Sequence, residues 1–218
     1  MITVHHLNNS RSQRVLWLLE ELGLPYELRF YQRDAKTMLA PPELKAIHPL
    51  GKSPVVTHEG RTLAETGAIV EYLVESAEGK LRPDAVDERL AWRYWLHYAE
   101  GSAMPPLLLA LVVGRIPKAA PALIRPLLNA VMSRVRTGYV DPQLATHADW
   151  WEASLAKTGW FAGSAFSAAD VMMSFPLETG AERIGFEGRP NCRRFVETIH
   201  ARPAYQKALQ RGGPYAYA

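Results

Sequence analysis

Three short polar stretches carry the residue types that chemistry needs, and each abuts an apolar element. The first is "NNSRS", Asn8 to Ser12, with hydroxyls at Ser10 and Ser12 and a guanidinium at Arg11. It follows the strand-like "MITVHH" and precedes Val15, Leu18, Leu19 and Leu22, which recur at helical spacing. A serine placed there has three uses. It can cap the helix by accepting an amide hydrogen bond. It can serve as a nucleophile, which calls for a base and a G-x-S-x-G elbow that this chain lacks. It can also donate to a bound anion, helped by the free amides and partial positive charge of the helix N-terminus. Taken alone, the cap is the simplest of the three.

The second stretch is "HPLGKSPVV", residues 48 to 56. Its G-K-S matches the end of a phosphate loop, but Ala46 occupies the position of the first glycine and a proline and strand follow instead of a helix. Pro54 cannot donate to a strand ladder, so Ser53-Pro54 marks a sheet edge or a cis turn. A cis turn would present the N–H and C=O of Ser53 to an extended peptide. The third stretch is "LAETGAIVEYL", with Glu65 and Thr66 at a helix start. A hydroxyl at a helix N-terminus binds a carboxylate, and a neighbouring glutamate binds an ammonium; together they suit an α-amino acid head group. The competing structural reading is a capping box, Thr62-x-x-Glu65.

The elements that must position these groups follow from pattern. "ITVHHL" is a strand, Ser12 to Leu22 a helix closed by Gly23, and "YELRFY" a second strand. "PPELKAIHP" is a short helix, and "SPVVTHEGRTLAE" a hairpin turning at Glu59-Gly60. Thr66 to Ala77 is a third helix. The order β-α-β-α-β-β-α requires a small mixed sheet whose first two strands are parallel. "EGKLRPD", residues 78 to 84, reads as a linker, after which strand signals nearly vanish. One long helix, Arg89 to Val113, should bend near Pro105-Pro106. Helices at about 119–137, 142–157, 168–182, 190–201 and 203–210 follow from the same periodicity. In "FSAADVMM", Ser167 and Asp170 spell a capping box with Phe166 and Val171 as its staple.

Composition sets the outer bounds. The chain has 218 residues, 48% of them hydrophobic and 22% charged, with six tryptophans. A net charge of +3 is too mild to argue for nucleic acid. Between Glu100 and Asp141 there is no acid, whereas Arg115, Lys118, Arg125, Arg134 and Arg136 are basic. That is either a solvated helix face or a basic wall favouring anionic ligands. The single cysteine, Cys192, excludes an intramolecular disulfide and fits a reducing compartment. It is flanked by arginines that could lower its pKa, although a plain structural thiol is the simpler view. The start "MITVHHLNNS" lacks the cationic and apolar regions expected of a signal peptide, and the strongly apolar run, about Met104 to Val113, is short for a membrane span. His5, His6 and His97 share no metal-ligand spacing.

Taken in order, "NNSRSQRVLWLLEELGLPYE", "HPLGKSPVV", "LAETGAIVEYL" and "FSAADVMM" resemble the glutathione transferase family of the cytosolic type, nearest its serine-type bacterial and fungal members. The resemblance spans essentially the whole chain. It implies an α/β thioredoxin-like N-terminal domain at 1–80 and an all-α helical-bundle C-terminal domain at 87–218. It implies that Ser10 donates to the glutathione sulfur and stabilises the thiolate, with Arg11 adding positive charge. By the same resemblance the Ser53 backbone pairs with the cysteinyl unit before a cis Pro54. Glu65 and Thr66 hold the γ-glutamyl ammonium and carboxylate, and Lys52 lies near the glycyl carboxylate. Asn9 and Ser12, close in register, remain alternatives at the sulfur. Glutathione would be the co-substrate, a small-molecule electrophile the partner, and the assembly a cytoplasmic homodimer in detoxification. No metal, nucleic acid or membrane enters that expectation. A glutathione-dependent peroxidase or reductase, and a non-enzymatic glutathione-binding regulatory module, remain as rivals. The electrophile pocket would lie between the domains, with Tyr94, His97, Tyr98, Met104 and Leu107 as candidate walls.

Overall fold

A computed structural model describes all 218 residues. Its first part runs β1 (Ile2–Leu7), α1 (Ser12–Leu22), β2 (Tyr26–Tyr31), α2 (Pro42–Ile47), β3 (Val55–His58), β4 (Arg61–Ala64) and α3 (Thr66–Ser76). The strands form one sheet in the order β2-β1-β3-β4, with β1 parallel to β2 and antiparallel to β3. The α1 stripe of Val15, Leu16, Leu18 and Leu19 is fully buried, and Gly23 closes the helix at φ 74°, a left-handed conformation that a Cβ would disfavour. Glu59 and Gly60 both have positive φ, as a two-residue hairpin turn with the strand twist requires.

Register decides where the polar stretches meet. His5 pairs with Val55, and Val55 in turn pairs with Ala64. Two residues beyond each pair, the end of β1, Ser53 and Thr66 come side by side at one end of the sheet. Three stretches separated by dozens of residues thus share one sheet edge, each at a strand terminus.

The remainder is helical. α4 (Val86–Tyr98) and α5 (Met104–Ala119) form one continuous helix of 34 residues, joined by a π-helical turn at Ala99–Ala103. The widened turn precedes Pro105 and Pro106, which cannot donate to carbonyls four residues back and would clash with them. The helix is long and apolar enough by composition to cross a membrane. Its Trp92, Trp95, Leu96, Leu107 and Ala110 are instead buried in the bundle. Ala120 is extended before Pro121, so α6 starts later than periodicity alone suggests, at Arg125–Val135. The expected gap before residue 142 is a correction of another kind. A second π turn, Arg136–Val140, carries α6 directly into α7 (Asp141–Thr158) and precedes Pro142 as the first precedes Pro105, accommodating the lost donor and the ring.

α8 (Ala168–Arg183), α9 (Pro190–His200) and α10 (Pro203–Gly212) complete the chain. Every residue of α8 from Ala168 to Gly180 is buried, because it packs on α4, α5 and α9 and also on α1 and α3 of the sheet unit. The capping box at its start is present. One Asp170 oxygen takes the Ser167 amide at 2.8 Å, and the other takes the amide of Phe161, also at 2.8 Å. Burial pushes the Asp170 carboxyl up to about 6 even though these bonds oppose the shift. α10 packs along α1, so the chain ends beside the turn at Ser10.

Candidate active site

Ser10 lies at the mouth of the β1–α1 turn, nearly buried at 6% exposure. Its carbonyl accepts the Gln13 amide at 3.2 Å, and its Oγ accepts the Ser12 amide at 3.3 Å, while the N-cap position of α1 is Arg11, with no side-chain cap. Asn9 before it adopts φ 50°, which turns the chain sharply out of the strand. The amides of Asn9, Ser10 and Arg11 donate to no group of the protein. Together with the α1 N-terminus they make the mouth of the turn electropositive.

Ser53 stands across the sheet edge. Its hydroxyl donates to the His5 carbonyl at 3.1 Å and accepts the Leu7 amide at 3.3 Å, bridging the end of β1. The Ser10 hydroxyl is 3.4 Å from it. The Ser53–Pro54 bond is cis, and neither the amide nor the carbonyl of Ser53 pairs with another backbone group. A free donor and acceptor on one residue is what an added peptide strand needs.

Glu65 is exposed, has φ 68° and forms neither a salt bridge nor a hydrogen bond through its carboxylate. Thr62 lies in β4 and no side-chain cap forms at Glu65, so the capping-box alternative does not describe this helix start. Left-handed backbone on a residue with a Cβ costs on the order of 1–2 kcal/mol. The turn therefore holds Glu65 outward at a price while Thr66, buried at 4%, opens α3 beneath it. Lys52 is exposed and without an ion-pair partner on the same rim.

Arg11 is less free than its sequence position implies. Its guanidinium pairs with Glu100 in the π turn at 2.9 Å and lies over the Phe175 ring, 5.6 Å from the centroid. Burial lowers the Arg11 pKa; Glu100 opposes that shift, while Arg14 reinforces it. Arg14, 2% exposed, contacts the other Glu100 oxygen and donates to the Met172 carbonyl at 2.7 Å. That carbonyl is available because Pro176, four residues on, has no amide to offer it. Arg183 extends the group, donating to the Leu107 carbonyl and the Tyr217 hydroxyl, each at 3.0 Å.

These contacts redraw the expected second wall. Met104 and Leu107 are core residues, and Tyr98 is buried against Trp151 and His147. Tyr94, His97 and Tyr98 line a groove of about 620 Å³ between α4 and α7, and Tyr94 also borders one of about 600 Å³ with Trp95, Trp150 and Trp160. Neither groove is lined by Ser10, Ser53 or Glu65. The groups that do reach the Ser10 turn from the helical part are Glu100, Phe175 and the C-terminal segment. Ala216 donates its amide to Asn9 Oδ1 at 3.0 Å, and Tyr215 ties the segment down through Glu178 at 2.6 Å. Glu100 sits within a helix like any surface acid, so no local pattern singles it out. The basic residues Arg115, Lys118, Arg125 and Arg134 are an exposed face of α5 and α6. Cys192 is buried, and burial with Glu152 nearby pushes its thiol up to about 12, against the alternative of an activated cysteine.

The fold defines a class: a thioredoxin-like domain built on a mixed four-stranded sheet, covered by a helical bundle. The comparisons with known proteins carry this to a family. Two family descriptions match, "Glutathione S-transferase, N-terminal domain" over residues 1–75 and "Glutathione S-transferase, C-terminal domain" over 137–203. Glutathione S-transferase 3 of Schizosaccharomyces pombe is 34% identical over 97% of this chain and 88% of its own. Glutathione S-transferase 1 of Saccharomyces cerevisiae is 33% identical over 97% and 95%. The crystal structure of a glutathione S-transferase from Actinobacillus pleuropneumoniae superposes with a TM-score of 0.83 at 35% identity, covering 100% of this chain and 95% of that one. The chain belongs to the glutathione S-transferase family, and it is a glutathione-binding transferase enzyme.

Proposed function

We propose that Ser10 is the hydroxyl that steadies the glutathione thiolate, which then attacks an electrophilic carbon or a peroxide of a small molecule. The reading rests above all on one observation. Ser10 stands at an electropositive helix N-terminus, 3.4 Å from the Ser53 hydroxyl, whose unpaired backbone suits the cysteinyl unit of the tripeptide. From that anchor, Glu65 and Thr66 take the γ-glutamyl ammonium and carboxylate, and Lys52 the glycyl carboxylate. Arg11, bound to Glu100, contributes positive potential from the side instead of a direct contact. In this role Ser10 donates a hydrogen bond and needs no base; each unit of thiol pKa depression is worth about 1.4 kcal/mol.

Ultraviolet absorbance of bound glutathione thiolate, followed against pH, tests the assignment. Ser10→Ala should raise the apparent thiol pKa by about one to two units, the worth of a hydrogen bond to a charged group. An unchanged pKa would move the role to Asn9 or Ser12. Conjugation, peroxide reduction and disulfide reduction all begin from the same thiolate, and turnover with acceptors of each type separates them. A regulatory module would bind glutathione without lowering its pKa. Assembly as a cytoplasmic homodimer with a part in detoxification completes the proposal.

A further inference from the structure

Behind Ser10 lies a line of buried polar groups that the thiolate reading does not use: Ser12 at 0% exposure and His6 at 2%. The hydrogens in this line can be assigned from its fixed end. His6 Nε2 is 3.0 Å from the Gly212 carbonyl, which can only accept, so Nε2 carries the hydrogen. Burial holds the His6 pKa down to about 4, so the ring is neutral and its Nδ1 has a bare lone pair. Nδ1 is 2.8 Å from Ser12 Oγ, and Ser12 must therefore spend its one hydrogen on the ring. That leaves Ser12 Oγ only lone pairs for its other neighbour, Ser10 Oγ, 2.7 Å away. Ser53 Oγ, at 3.4 Å, is a much poorer acceptor, because the contact is long and the oxygen already takes the Leu7 amide.

We propose that Ser12, oriented by His6, is a positioning residue that holds the Ser10 hydroxyl hydrogen inward in the resting site, so that the glutathione sulfur must compete with Ser12 for it. The direction of every bond follows from the carbonyl of Gly212, at the end of α10, the element that leads into the tail over the turn. As the thiol gives up its proton to solvent, the Ser10 hydroxyl hydrogen turns from Ser12 Oγ to the thiolate sulfur, which breaks one short, buried hydrogen bond. Ser12 thereby sets how far Ser10 lowers the thiol pKa, and it does so from behind, without touching the tripeptide. This inference rests on the assignment of Ser10 above.

The test is the same thiolate titration on the full-length protein with glutathione as the probe, run on four variants. Ser12→Ala removes the competing acceptor but leaves the amide that Ser10 Oγ accepts, so the thiol pKa should fall below that of the wild type by about half a unit to one unit. Ser12→Thr keeps the hydroxyl and should restore the wild-type value. In the Ser10→Ala background, adding Ser12→Ala should change nothing, because the effect passes through Ser10 alone. Loss of a merely structural serine would lower thermal stability without lowering the pKa. A pKa in Ser12→Ala equal to or above that of the wild type, while Ser10→Ala raises it, overturns this inference and leaves Ser10 in place. A pKa that does not respond to Ser10→Ala overturns both. A further rise on adding Ser12→Ala to Ser10→Ala shows Ser12 donating to the sulfur directly and also overturns the inference.

Discussion

Glu100 shows how one residue can hold a site together from outside it. Its two carboxylate oxygens divide between Arg11, which borders Ser10, and Arg14, which is buried. Burial works against ionisation of Glu100, but Arg14 and Arg11 outweigh it and hold the carboxyl below its usual range. A depressed carboxylate pKa gives stability that is present above the unfolded-state value of 4.5 and disappears as pH falls through the lower folded-state value. Glu100→Gln should therefore cost about 3 kcal/mol at neutral pH, since it leaves Arg14 without an anion. Denaturant melts at pH 7 and at pH 3 check this. The gap between wild type and variant should be wide at pH 7 and narrow at pH 3, and a gap independent of pH would mean that the ion pair contributes nothing.

Among the elements, α8 is the one on which both halves lean, and its N-terminus is the most legible stretch of the helical part. The spacing Ser167-x-x-Asp170 announces a cap worth about 1 kcal/mol. Folding adds what spacing cannot show, because Asp170 also takes the Phe161 amide from the preceding loop. The two residues should thus differ. Ser167→Ala should cost about 1 kcal/mol, whereas Asp170→Ala strands two buried amides and should cost about 3 kcal/mol. Equal losses in melting temperature would reduce Asp170 to a local cap. The π turns teach the converse lesson. Prolines at 105, 106 and 142 predict trouble in a helix, but whether the chain bends, breaks or widens depends on what packs beside it. Here both sites widen and the helices continue.

At the scale of the whole molecule, the aromatic groove of α4 and α7 is open in the single chain. Leu90 is 64% exposed, Tyr94 47% and Trp150 43%, all beside a cavity of about 600 Å³. Apolar surface gathered in this way is what a subunit interface covers. Leu90→Asp should accordingly shift the protein from dimer to monomer in sedimentation velocity. Sedimentation of both wild type and variant as monomer would remove the homodimer from the proposal.

The strands, the first three helices, the helix stops at Gly23 and Gly60's hairpin were readable in the sequence because each obeys a local rule: period, cap or turn chemistry. Ser10, Ser53-Pro54 and Glu65-Thr66 were likewise visible as polar residues at element ends. Each had a plainer local explanation, and only their order along the chain pointed past it. What tertiary structure alone decided is their meeting at one sheet edge, through the register of β1, β3 and β4. It also decided the pairing of Arg11 with Glu100, 89 positions away, and the line from Gly212 through His6 and Ser12 to Ser10. Such contacts join residues with no shared periodicity. A hydrogen bond's direction, moreover, is set by the farthest group in the line that can only accept, and that group is a backbone carbonyl, the same in every residue type.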